Sequence, residues 1–102
     1  MDKDLIKQFE LAMIGIYEQA KEKYGYNDIR FLQMIKKSTG IAVAHGLLRT
    51  SKVSGVLAVL YAKGGQEALK LTVEYLALDP KWSSLFNDTQ LKRAKQRLGD
   101  FK

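Results

Sequence analysis

Apolar residues recur every three or four positions along almost the whole chain, the spacing of helices that bury one face. Between Asp4 and Tyr24 they fall at Leu5, Phe9, Ala12/Met13, Ile16, Ala20 and Tyr24, with Lys7, Glu10, Glu18, Lys21 and Glu22 on the other side. This predicts a first helix about 30 Å long, stopped by Gly25. Asn27 or Asp28 caps a second helix whose inward face is Ile29, Leu32 and Ile35. Ser38-Thr39-Gly40 breaks it, and Ser38 or Thr39 caps a third helix carrying Ile41, Ala44, Leu47 and Leu48. After a turn at Thr50-Ser51, Val53 to Tyr61 is mostly apolar, with Val56, Val59 and Leu60 expected inside and Gly64-Gly65 closing the segment.

Gln66 to Leu78 places Leu69, Val73, Leu76 and Ala77 at helical spacing. Thr72, Val73 and Tyr75 favour strands on propensity, but no partner strand of similar quality exists, so helix is expected. Asp79-Pro80 reads as a cap followed by proline at a first helical position, opening a short turn through Trp82 to Phe86. Asn87 caps the last helix, Gln90 completes a capping box, Leu91, Ala94 and Leu98 form the inner stripe, and Gly99 ends it. The expectation is an all-α protein: one domain over residues 1–102, a compact bundle of five main helices plus one short helix.

Composition agrees with that class. The 102 residues are 46% hydrophobic and 27% charged, which excludes a disordered tail, a collagen-like repeat and a disulfide scaffold. There is no cysteine, so thiolate zinc sites, iron–sulfur clusters and cysteine nucleophiles are ruled out. No apolar stretch approaches the ~20 residues that a spanning helix needs. Met1-Asp2-Lys3-Asp4 is acidic where a secretory leader is basic. A cytoplasmic protein without membrane contact is expected.

Charge changes the picture more. The formal net charge is +6, and it has one location. From Ile29 to Gln66 there is no acidic residue, while Arg30, Lys36, Lys37, Arg49, Lys52 and Lys63 supply six cations; the remaining eleven bases and eleven acids cancel. Lys36 and Lys37 precede the start of the third helix, where free N–H groups favour anions, and Lys52 stands in the hydroxyl-rich turn Thr50-Ser51-Lys52-Val53-Ser54. These six residues are the candidate phosphate-binding surface; a merely solvated lysine-rich surface is the competing interpretation. A second basic run, Lys92 to Arg97, places Arg93 and Arg97 on one helix face, where they complement a helix dipole or bind a partner. The second and third helices invite comparison with a helix-turn-helix, but Ile41 to Arg49 offers only His45 and Arg49 to read bases. Backbone contact to DNA or RNA fits better than sequence readout.

Catalytic and metal-binding patterns are missing. His45 is the sole histidine, and no serine stands in a nucleophile elbow. Glu18 and Glu22 lie on the polar face of a charged helix, and Gly64-Gly65 is too short for a phosphate loop. No catalytic residue, metal or cofactor is expected. Tyr26, Asn27 and Arg30 form either a binding corner or a turn folded back on the bundle.

Ala12-Met13, Ile16-Tyr17, Ala20-Lys21, Gly25-Tyr26-Asn27 and Arg30-Phe31-Leu32-Gln33-Met34, together with Leu71-Thr72-Val73-Glu74, Pro80, Trp82, Leu85-Phe86, Leu91, Ala94, Arg97 and Leu98, resemble a widespread family of small bacterial proteins of unassigned function. The resemblance runs from about Phe9 to Leu98 and implies a free-standing helical domain, with no activity attached. The chain departs from the pattern at Lys70, where the family is acidic, and at Ser54-Gly55-Val56 and Gly64-Gly65. The polar residues within these apolar motifs suggest a buried Arg30–Glu74 pair, with Asn27 capping, that locks the two halves together.

Two functions follow as expectations. One is a non-catalytic accessory module that holds nucleic acid on the six cations. The other is a protein-interaction module or homodimer that uses the apolar 53–61 helix, provided that helix lies at the surface.

Overall fold

A computed structural model of the chain describes residues 3–50 and 55–101. It is all-α, and among the described residues there is no strand. In order, the helices are α1 (Lys3–Tyr24), α2 (Ile29–Lys37), α3 (Gly40–Arg49), α4 (Gly55–Leu69), α5 (Val73–Leu78) and α6 (Asp88–Gly99), with a 3-10 turn at Ser83–Leu85 before α6. Lys52, the hydroxyl-rich turn around it and the expected helix start at Val53 lie outside the described residues.

α1 is the central post, packed against α2, α3 and α4, while α6 packs against α5 and α3. The main core joins Phe9 and Met13 of α1 to Ile35, Ala44, Leu48, Val73, Ala77 and Ala94. Phe9 is fully buried and meets both Trp82 and Phe86 edge-on at 5.6 Å, the geometry that aligns a ring's positive edge with its neighbour's negative face. Trp82 is itself buried in this core, with the Lys81 ammonium 4.8 Å from its ring centroid. A second cluster gathers Ala20, Leu60 and Ala68 with Tyr24, Tyr26, Val56 and Leu71.

The caps explain where the helices begin. Thr39 accepts the Ala42 N–H and starts α3. Asn87 and Gln90 form the reciprocal capping box of α6, at 2.8 and 3.0 Å. Asp28, rather than Asn27, caps α2 by accepting the Phe31 N–H. The Asn27 side chain instead accepts the Tyr17 hydroxyl at 2.5 Å and ties the α1–α2 turn back onto α1.

Several expectations need correction. In α2 the inward residues are Ile35 and, half-buried, Phe31 and Leu32, whereas Ile29 is 47% exposed because it is the first residue after the cap. In α4 Leu57 and Leu60 face inward, and Val59 is exposed. The single helix expected from Gln66 to Leu78 is two. Gly65 adopts φ +65°, a left-handed conformation that only glycine takes without strain, and it kinks α4. The chain then breaks again at buried Thr72, whose hydroxyl donates to the Leu69 carbonyl at 2.7 Å and accepts the Tyr75 N–H at 3.2 Å. The β-favouring character of Thr72 thus shows as a cap in extended conformation between two helices. Asp79 both closes α5 and opens the expected short turn: its carboxylate accepts the Lys81 N–H at 2.9 Å, and its carbonyl receives the Trp82 and Ser83 N–H groups.

Candidate functional site

The segments 25–34 and 71–74 are far apart in sequence and meet around one pocket. Its volume is about 260 Å³. Ile16, Tyr17 and Ala20 of α1 form one wall; Tyr26, Asp28, Arg30, Phe31 and Met34 another; Leu47, Val56 and Leu60 a third; and Leu71, Thr72, Val73 and Glu74 the last. The lining is mainly apolar. Closed and dry, a void of this size costs roughly 6 kcal/mol at ~24 cal/mol per Å³. This one opens beside Met34, which is 44% exposed, and beside exposed Arg30. A concave apolar site with a few polar groups at its edge is the usual form of a ligand pocket.

The polar groups around it are mostly committed. Glu74 is buried, and its Oε2 lies 3.3 Å from Arg97 Nη1. Arg97 is itself buried and also donates to the carbonyls of Leu47 at 2.9 Å and Thr50 at 2.5 Å. Arg93, one turn earlier, donates to the Leu48 carbonyl at 3.1 Å and to that of Arg49. Those carbonyls are the ones a helix C-terminus leaves without partners, so two guanidinium groups from α6 cap α3. The expected Arg30–Glu74 pair is therefore corrected: Glu74 is buried as expected, but its partner is Arg97, and Arg30 is solvent-exposed. Arg97 supplies five donors in a planar fork, which suits an end of a helix with several open acceptors.

Tyr26 does fold back onto the bundle, beside Asp28. Burial first, then the charge and hydrogen-bonding influence of the Asp28 carboxylate, push the phenol up from its ordinary value of 10.0. Of the suggested corner, Tyr26 and Arg30 line the pocket and Asn27 does not.

The six candidate cations are distributed as follows. Arg30, Lys36, Lys37, Arg49 and Lys63 are all exposed, and Lys52 lies outside the described residues. Arg30 opens onto the apolar pocket. Lys36 opens onto a different groove, between α1 and α2, together with Glu18, Lys21 and Glu22. On α2, positions 30 and 36 are separated by about 120° of rotation, which accounts for the two destinations. Acidic side chains of α1 therefore sit beside one of the six cations, although none occurs in the sequence stretch that carries them.

His45 is held in place rather than free: its Nε2–H donates to the Leu85 carbonyl at 2.8 Å, and its ring lies 5.2 Å from that of Phe86. Among the described residues no group of three or more His, Cys, Asp or Glu side chains is placed to hold a metal ion, and no helix is long and apolar enough to cross a membrane. No family model, curated protein or solved structure matches the chain.

Proposed function

We propose that the protein is a non-catalytic interaction module that self-associates through the outward face of α4. The observation that carries this reading is the exposure of Gly55, Ala58, Val59 and Ala62, opposite the buried Leu57 and Leu60. Those four positions fall within about 100° of rotation around the helix axis, so they form one continuous stripe along the helix. The stripe is apolar, whereas an outward helix face is ordinarily charged. Its small side chains let a second helix approach to the near end of the usual 8–10 Å interaxial range. Pairing two copies about a two-fold axis uses the same stripe twice and needs no second complementary surface. Light scattering on the eluting protein tests this reading. Wild type is expected to elute as a dimer, and Ala62→Glu as a monomer with unchanged helix content. A variant that dimerises like wild type overturns the assignment of the face.

A second reading, backbone binding of DNA or RNA, is supported by a different observation. Arg30, Lys36, Lys37, Arg49 and Lys63 are exposed, and none of them enters an ion pair among the described residues. Unpaired cations cost little to place against phosphates and release counterions when they are.

A further inference from the structure

We infer that the pocket between α1, α2, α4 and α5 is a binding site for a small carboxylic acid with an apolar tail of about eight carbons. This site is separate from the outward stripe of α4, because Val56 and Leu60 line the pocket while Val59 and Ala62 face away from it.

Three observations select that chemistry. The first is size. A volume of about 260 Å³, far above the ~10–15 Å³ that admits a single water, gives room for a short apolar chain. The second is the lining: Ile16, Val56, Leu60, Leu71 and Val73 offer no hydrogen bond to a polar body, so an occupant with a polar middle loses its water contacts without replacement. The third is the charge at the mouth. Asp28 accepts the Phe31 N–H at 3.3 Å as the cap of α2, and Glu74 is paired with Arg97. Arg30 is the one basic residue among those lining the pocket; it is exposed and enters no ion pair among the described residues. A guanidinium at the rim of an apolar pocket matches a carboxylate head, which it can hold bidentately in contact with water, while the tail enters.

Isothermal titration of the full chain with octanoate tests the site. Saturable binding of one octanoate per chain is expected, with octanol and octylamine clearly weaker. Arg30→Gln should lower octanoate affinity about tenfold, since it removes one charge-assisted contact at an exposed rim, and should leave octanol binding unchanged. Methyl chemical-shift changes should be confined to the pocket residues, which also locates the site if a space-filling variant such as Val56→Phe does not fold. Absence of saturation by wild type overturns the proposal, as do equal affinities for octanoate and octanol, an Arg30→Gln protein that binds octanoate like wild type, or shift changes elsewhere on the molecule.

Discussion

The Gly40 N–H donates to Glu10 Oε1 at 2.7 Å, so a carboxylate from α1 serves the first turn of α3, thirty residues away. The helices are close enough there that a Cβ on Gly40 would lie 2.8 Å from the Glu10 Cα, a backbone atom that cannot rotate aside. Gly40→Ala is therefore expected to destabilise the protein by about 1–3 kcal/mol, the range for overpacking a tight contact. Glu10→Gln keeps the shape and removes the charge beside the positive end of α3, and is expected to cost about 0.3–1 kcal/mol. Urea denaturation measures both; a Gly40→Ala midpoint at or above wild type contradicts the close approach.

Arg97 and Glu74 join α6 to α5 in a buried pair, and the same guanidinium caps α3. Removing one partner strands the other charge and several carbonyls. Arg97→Met is expected to cost about 3–5 kcal/mol, and Arg97→Lys to recover little, because an ammonium cannot span acceptors spread from Leu47 to Thr50. A double-mutant cycle with Glu74→Gln separates the pair from the capping bonds: a coupling energy near zero assigns the whole effect to the caps.

The Tyr26 phenol is raised by burial first and by Asp28 second. Well below its ordinary value of 10.0 the hydroxyl is neutral both folded and unfolded and contributes no pH dependence. Above that value the unfolded chain ionises first, so stability falls as pH rises through the folded-state value. Absorbance in the near ultraviolet, where tyrosinate absorbs, should show one tyrosine titrating late, and Asp28→Asn should bring it part of the way back. Asparagine still caps α2, so that variant keeps its fold. An Asp28→Asn titration that moves upward contradicts the assigned contact.

The second reading of function has its own test in salt. If the exposed cations hold phosphates, polarisation of labelled single- or double-stranded oligonucleotides should show affinity falling by close to one log–log unit per phosphate neutralised. Lys36→Glu, Lys37→Glu and Lys52→Glu together should abolish it, with the circular dichroism spectrum unchanged. Binding equal at low and moderate salt removes this reading.

Much of the fold was legible in local chemistry. The Asn87 and Gln90 box, the Thr39 cap and the stop at Gly25 are written in adjacent residues, and all three are present in the structure. Failures occurred where tertiary contact outweighed local pattern. Thr72 carried a strand signal inside a helical period, and its buried hydroxyl resolves the conflict by ending one helix and starting another. Val59 matched the inward period of α4, but the helix turns Leu57 and Leu60 to the core instead. For the site, Glu74 was marked by standing in an apolar run, yet its partner was not readable. Arg30 and Arg97 were both available, and only the packing of α6 on α5 selects Arg97. The spacing of Arg93 and Arg97 on one face was the available signal, and it pointed to a helix dipole; the dipole belongs to α3 rather than to their own helix.

Sedimentation equilibrium of the wild-type chain from low to high micromolar concentration addresses the proposed role of α4 most directly. A reversible rise from one chain of 11.6 kDa toward twice that mass, lost in Ala62→Glu, is the expected result. A mass that stays at 11.6 kDa across the whole range means that the outward face of α4 is not a self-association surface.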